Sequence, residues 1–220
     1  RRLGPSSRQL GGSSGAGPEG QHAGVCVPTD DAADPCFFFG VSRINMPVVV
    51  LQGMCYAGKT TLGAMVGEKL GLPFLDSRDL FRQTHGVSEL EYLAEHGSKG
   101  FGMAERACLE QDFEDVVLAL AGSSVYYDEQ MERLHERYPV VHLNVPLPVI
   151  QRRRAADPAE RPIVYPEGVD TFDALYRQRA ALYPRWADVR IDVTADDTPD
   201  EVSRRITTSL ASLGESRAQS

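Results

Sequence analysis

The stretch LQGMCYAGKTTLGAMVGEKL occupies residues 51–70 and contains, from Gly53 to Thr60, a glycine, four residues and then Gly-Lys-Thr. The apolar run PVVVLQG leads into it, and a helix-forming segment follows as far as Leu70. A strand, a glycine-rich turn and a helix in this order are typical of a phosphate-binding P-loop. The glycines let successive backbone N–H groups point at phosphate oxygens, and the helix N-terminus adds positive potential. The stretch therefore predicts binding of a nucleoside triphosphate.

The residue types in the loop indicate how it would bind ATP. The Lys59 ammonium is expected to neutralise charge on the outer phosphates, and the Thr60 hydroxyl is expected to be a ligand of Mg²⁺. ATP and Mg²⁺ are therefore the predicted cofactors. The predicted ATP-binding residues of the loop are Gly53, Tyr56, Ala57, Gly58, Lys59, Thr60 and Thr61.

Strand-like and helix-like segments alternate after the loop. The apolar segments LPFLD, DVVLALAG, PVVHLNV and DVRIDVT follow the first strand, and helical patterns separate them. Capping boxes that begin at Ser88 and Thr198 predict two helix starts, and a longer helix is expected from roughly Ala104 to Phe113. This alternation predicts an α/β protein with a three-layer P-loop fold, in which helices flank a five-stranded parallel sheet.

Composition and charge limit the possible function classes. The chain has 220 residues, 42% of them hydrophobic, and a net charge of -8. The acidic balance argues against a nucleic-acid partner, because phosphate backbones require clustered positive charge. No apolar run is long enough to span a bilayer, so no membrane association is expected. Cys55 in the loop suits a reducing compartment, and we expect a cytoplasmic monomer that acts on a small molecule.

The chain is predicted to comprise one domain with two flanking segments. Residues 1–45 are rich in Gly, Ser and Pro and lack apolar periodicity, which predicts a disordered tail or a non-native upstream segment. Residues 46–214 are the predicted P-loop kinase domain. Residues 215–220 are expected to be a disordered C-terminus.

Two other P-loop classes fit the sequence less well. The DxxG and N/T-K-x-D segments that GTPases need do not follow the later strands. A mechanical ATPase would carry a strand that ends in Asp-Glu, and SSVYYDEQ at residues 123–130 is a superficial match. Because VVLALAG fits a buried strand better than SVYY, we expect Asp128 and Glu129 to begin the next helix.

Four segments follow the P-loop in a fixed order. They are LGLPFLDS, VVHLNVPLPVIQRRR, Arg161-Pro162-Ile163 and YRQRAALYPRWADVRIDV. Together with the loop, and over the span from Val48 to about Leu213, they resemble the shikimate kinase family. The resemblance implies a nucleoside-monophosphate-kinase-like fold and a mobile lid that closes over ATP.

Matching positions carry the family's residue roles onto this sequence. Asp76 matches the first acid of an Asp-x-Asp pair, which the resemblance implies holds magnesium through water. Gly122 and Arg179 match residues that contact the substrate, the first by its backbone and the second by gripping a carboxylate. Arg161 matches a lid arginine that contacts the phosphates, and Arg154 matches one that packs on adenine. The residues implied in catalysis are Lys59, Asp76 and Arg161, and those implied in metal binding are Thr60 and Asp76.

The acceptor half departs from the family pattern. Arg78 stands where the family has its second acid, which orients or deprotonates the attacking hydroxyl, and Asp79 lies one residue further on. Gly102 stands where an arginine holds the substrate carboxylate, and Arg106 lies one helical turn further on. The family's triple glycine is reduced to Ala121-Gly122-Ser123. The predicted substrate-binding residues are Asp76, Arg78, Asp79, Arg106, Gly122 and Arg179.

These features predict an ATP-dependent small-molecule kinase. By resemblance, shikimate is the default acceptor, whereas Arg78 and Gly102 favour a different or rearranged acceptor. Two alternatives stay open at this point, namely a regulatory module that binds ATP without turnover and a mechanical ATPase.

Overall fold

The computed structural model describes residues 48–157 and 161–218. Its sheet has five parallel strands in the order β2-β3-β1-β4-β5, which confirms the predicted α/β architecture. The strands are β1 (Val48–Gln52), β2 (Phe74–Asp76), β3 (Val116–Ala119), β4 (Val140–Asn144) and β5 (Val189–Asp192). Each lies within a segment that the sequence predicts as a strand.

Helices connect the strands. They are α1 (Lys59–Leu70), α2 (Ser77–His85), α3 (Glu89–Cys108), α4 (Asp128–Arg137), α5 (Leu147–Ala156), α6 (Phe172–Leu182) and α7 (Pro199–Ala218). Short 3₁₀ turns cover Ser124–Tyr126 and Tyr183–Trp186. The start of α4 at Asp128 confirms that Asp-Glu begins a helix and does not end a strand.

The central strand places the P-loop. All five residues of β1 are buried, because helices cover both faces of a parallel sheet. Gln52 is the polar member, and its Nε2 donates to the Tyr183 carbonyl at 2.9 Å. Since β1 pairs with β3 on one side and β4 on the other, the loop after Gln52 emerges at the middle of the carboxyl edge. Ligands of open α/β sheets bind at this edge.

The largest difference between the predicted and the observed helix limits concerns α3. This helix spans Glu89–Cys108, whereas the predicted helix ran from roughly Ala104 to Phe113, so the predicted limits are wrong at both ends. Gly97 has φ 67° and kinks the helix. The kink interrupts the helical spacing of apolar residues, so this spacing does not indicate one continuous helix. The capping box at Ser88, which opens α3, is present as predicted.

The ends of the domain are described only in part. Helix α7 continues to Ala218, four residues beyond the predicted domain limit at residue 214. The predicted tail at residues 1–45 lies outside the described residues, as do residues 158–160 and 219–220. Within residues 48–157 and 161–218, no helix is both long and apolar enough to cross a membrane.

Candidate active site

One cleft at the carboxyl edge of the sheet gathers most of the predicted site residues. The P-loop forms one wall, and the ends of β2 and β3 with the starts of α2 and α3 form the opposite side. The segment that begins at Arg161 and helix α6 contribute the remaining lining through Arg161 and Arg179. The cleft therefore has a phosphate-binding half and a second half in which an acceptor can lie beside the outer phosphate.

Lys59 is hydrogen-bonded to the backbone of the P-loop. The Lys59 Nζ donates to the carbonyl oxygens of Gly53 at 2.8 Å and Met54 at 2.9 Å. Burial lowers the pKa of Lys59 to about 8. A Cβ at Gly53 would come within 2.9 Å of the Leu143 carbonyl oxygen, so only glycine fits there. Gly58 has φ 95° and precedes the first turn of α1.

Tyr56 is an unusual residue for its backbone conformation. Its φ is 65°, in the left-handed region that glycine favours. The Arg161 guanidinium lies over the Tyr56 ring at 5.0 Å, and the ring meets Phe172 edge-on at a centroid distance of 6.4 Å. These contacts link the P-loop to the segment that begins at Arg161.

We expect the strain at Tyr56 to be measurable by urea unfolding. Tyr56→Gly should be more stable than Tyr56→Ala by about 1 kcal/mol, because both variants lose the ring and only glycine adopts this φ freely. The same two substitutions at Tyr165, which has no positive φ, are the control. At position 165 the alanine variant should be at least as stable as the glycine variant. If the alanine variant were also the more stable one at position 56, the result would contradict strain in the loop.

Thr60, Asp76 and Arg78 form a hydrogen-bonded cluster beside the P-loop. Thr60 Oγ1 donates to Asp76 Oδ2 at 2.7 Å. The Arg78 guanidinium donates through Nε to Asp76 Oδ1 at 3.1 Å and through Nη2 to Asp76 Oδ2 at 3.0 Å. Burial raises the pKa of Asp76, but hydrogen bonds from Arg78 and Thr60 outweigh it and hold the pKa below its usual range. Asp76 is therefore ionised and already paired.

Two predicted substrate-binding residues lie outside the cleft. Asp79 is exposed and pairs with Arg82 on the surface of α2 at 3.4 Å. Arg106 is exposed on α3 and does not line the cleft. After the kink in that helix, the cleft-lining residues are Phe101 and Glu105, four positions apart, and Arg106 is rotated away by about 100° relative to Glu105. Neither Asp79 nor Arg106 is thus in place to replace a family residue.

Gly122 and Arg179 meet in the acceptor half. A Cβ at Gly122 would lie 3.1 Å from Arg179 Nη1 and 3.1 Å from the Cys55 backbone nitrogen, so a side chain here would crowd both groups. Arg179 is 3% exposed, and its guanidinium donates to the Tyr126 hydroxyl at 3.4 Å and the Val164 carbonyl at 3.2 Å. No carboxylate pairs with Arg179 among the residues that the structure describes.

The arginines of α5 and the following segment differ in position. Arg161 donates to Asp157 at 2.6 Å and lines the cleft. Arg154 is exposed, and its guanidinium lies over the Phe172 ring at 4.4 Å. Arg153 lines the cleft instead and donates to the Ala57 carbonyl at 3.0 Å. Sequence reasoning missed Arg153 because three successive arginines do not reveal which one turns inward.

Two carboxylates of α3 were also missed. Glu105 is buried and accepts a 2.6 Å hydrogen bond from Ser123 and another from the Tyr127 hydroxyl. Burial raises the pKa of Glu105. Glu89, the first residue of α3, lines the cleft as well. The four-residue spacing from Phe101 to Glu105 is a signal that could have identified Glu105 once the helix was recognised.

The sheet order and the cleft place the chain among the P-loop phosphotransferases. A family model for shikimate kinase matches residues 56–211. Shikimate kinase of Synechococcus elongatus is 32% identical over 183 residues, which cover 82% of this chain and 95% of the relative. The structure of shikimate kinase from Acinetobacter baumannii in complex with shikimate superposes with a TM-score of 0.66 at 27% identity, covering 76% of this chain and 94% of that one.

A longer protein is also similar. Threonine synthase-like 1 of Homo sapiens is 30% identical over 160 residues, which cover 72% of this chain and 21% of that protein. The chain belongs to the shikimate kinase family. It is an ATP-dependent small-molecule kinase, as the sequence predicted.

Proposed function

We propose that this kinase transfers the γ-phosphate of ATP to a hydroxyl of a small hydroxylated carboxylate, with shikimate as the default acceptor. The observation that carries this proposal is Arg179, a buried cation without a carboxylate partner among the described residues, in the same cleft as Lys59. A bound acceptor carboxylate would supply the missing partner through charge-assisted hydrogen bonds. The Acinetobacter baumannii relative in complex with shikimate supports this choice of acceptor.

We also propose a role in ATP binding for each residue of the nucleotide half of the cleft. Lys59 and Arg161 neutralise the outer phosphates of ATP, and the loop from Gly53 to Thr61 binds them with its backbone. The distances from Arg161 to Tyr56 and Asp157 support a position at the edge of the phosphates. Arg154 is assigned to the adenine side, where its planar guanidinium lies over the Phe172 ring and offers a flat face for stacking.

Mg²⁺ fits the pair formed by Thr60 and Asp76. A hydroxyl and a carboxylate oxygen 2.7 Å apart are hard oxygen donors of the kind this ion prefers, and it retains several waters in such sites. When bound, Mg²⁺ would neutralise charge on the ATP phosphates. Arg78 donates to the same two side chains, so its guanidinium competes for the Asp76 carboxylate.

Removal of this competing cation should lower the magnesium requirement. Arg78→Ala is expected to reduce the Mg²⁺ concentration for half-maximal ATP turnover by about fivefold, which corresponds to loss of a pair worth about 1 kcal/mol. Arg82→Ala, which removes an exposed arginine one turn later on α2, is the matched control and should leave the requirement unchanged. A higher requirement in Arg78→Ala would show that Arg78 assists the metal.

The function is tested by coupled ADP release with a panel of acceptors. Shikimate is compared with no acceptor, and glycerate is compared with glycerol, which lacks a carboxylate. Acceptor-stimulated release that depends on the carboxylate is the expected result. Acceptor-independent release would indicate an ATPase, and ATP binding without release would indicate a regulatory module, so either outcome contradicts the proposal.

We further propose that the kinase is a monomer in the cytoplasm. Cys55 and Cys108 are free thiols, which supports a reducing compartment.

A further inference from the structure

Four carboxylates line the cleft, and two of them are ion-paired. The four are Asp76, Glu89, Glu105 and Asp157. Asp76 is paired with Arg78 at 3.0 Å, and Asp157 is paired with Arg161 at 2.6 Å. Neither carboxylate is available to take a proton from an acceptor without first giving up a cation.

Of the two remaining carboxylates, only Glu89 lacks a partner. The Glu105 carboxylate accepts hydrogen bonds from the Ser123 and Tyr127 hydroxyls. The Glu89 carboxylate has no hydrogen bond or ion pair within residues 48–157 and 161–218. A half-buried carboxylate of this kind, aimed into a cleft that must hold a polar ligand, is in a position to act on that ligand.

Charged groups from both halves of the cleft influence Glu89, which itself lines the cleft. The charged groups that influence it are Asp76 at the end of β2, Arg78 and Arg82 on α2, and Glu105 on α3. Asp76 belongs to the cluster beside the P-loop, whereas Glu105 belongs to the acceptor half. An acceptor hydroxyl that attacks the outer phosphate must lie between these halves.

The surroundings of Glu89 suit proton transfer near neutral pH. Burial raises the pKa of Glu89 to about 7, repulsion by Glu105 acts in the same direction, and Arg78 opposes both. A general base is most effective when its pKa is close to the working pH.

We propose that Glu89 is the general base of this kinase. On the proposed function, the acceptor hydroxyl oxygen bonds to the γ-phosphorus, and the bond from that phosphorus to the bridging oxygen breaks. ADP leaves with the bond's electron pair, and the hydroxyl proton passes to the Glu89 carboxylate and then to solvent. This assignment gives the cleft a base although Arg78, at the position of the family's second acid, cannot serve as one.

The test compares Glu89→Gln with Glu95→Gln, which changes an exposed glutamate on the same helix. Turnover is measured with Mg-ATP and the hydroxylated acid that gives the fastest ADP release, shikimate being tried first. Glu89→Gln should lower kcat by about 100-fold, the lower range for loss of a general base, while the KM for ATP stays unchanged. Glu95→Gln should keep wild-type kcat and KM.

A pH profile separates a base from a residue that only shapes the cleft. Wild-type kcat should rise through about pH 7 as Glu89 loses its proton, and this rise should be absent in Glu89→Gln. Glu89→Asp, which keeps a carboxylate with shorter reach, should retain the rise at a lower kcat. This second variant keeps the assignment testable if the glutamine variant folds poorly.

Two results would overturn the assignment in distinguishable ways. Wild-type kcat in a folded Glu89→Gln, or the same rising pH limb, would exclude Glu89 as the base while the proposed function stands. Absence of acceptor-dependent ADP release in the wild-type protein would overturn the proposed function and this assignment together.

Discussion

Lys59→Ala is expected to reduce turnover by about 1000-fold, while the protein stays folded. Phosphoryl transfer depends mainly on positioning and on neutralising charge, and loss of one well-placed donor or cation at the reacting group costs about 10²- to 10³-fold. Within the described part of the chain, the Lys59 ammonium bonds only two loop carbonyls, those of Gly53 and Met54. Its loss therefore removes little packing, and it removes a cation whose burial lowers the pKa of Lys59 to about 8.

The control is another lysine of the same helix. Lys69→Ala removes an exposed ion pair with Asp200 in the last turn of α1 and should leave kcat unchanged. Thermal unfolding establishes that both variants are folded, and ADP release measures turnover. Wild-type kcat in a folded Lys59→Ala would contradict the assignment of this cleft as a kinase active site.

The sheet and the nucleotide half of the cleft could be predicted because local sequence determines them. The continuous apolar run of β1 indicates a strand buried on both faces, and the glycines of the loop are required by close backbone approach, as at Gly53. The same holds for the capping box at Ser88, whose hydrogen bonds lie within one turn. Such features need no knowledge of distant residues.

The acceptor half could not be predicted to the same degree because tertiary placement determines it. The choice between Glu105 and Arg106 depends on a rotation of about 100° around a helix whose continuation through Gly97 the sequence did not reveal. The pairing of Arg78 with Asp76 depends on the direction of the Asp76 side chain at the end of β2 relative to Arg78 in the first turn of α2. Neither arrangement leaves a periodic signal.

The second large effect concerns recognition of the acceptor carboxylate. We expect the wild-type protein to bind shikimate with low affinity. Among the described residues, Arg179 is the one arginine that lines the acceptor half of the cleft and has no carboxylate partner. Gly102, on the adjacent helix, leaves space, because a Cβ there would meet only the Tyr127 hydroxyl, at 3.7 Å. That hydroxyl is bonded to Glu105, which lines the cleft, so an arginine at position 102 would bring a second cation, in addition to Arg179, to the acceptor half.

We expect Gly102→Arg to strengthen shikimate binding about tenfold to 100-fold, the value of one charge-assisted contact of about 1.5–3 kcal/mol in a partly buried site. Stability should not fall, because arginine favours a helix interior by nearly 1 kcal/mol over glycine. Met103→Arg adds the same charge at a neighbouring position that is 63% exposed, and calorimetric titration should show no gain in affinity there. Tight, carboxylate-dependent binding by the wild-type protein would mean that Arg179 alone holds the carboxylate. Gly102 would then be a neutral departure from the family pattern, because a single buried cation would suffice to bind the acceptor.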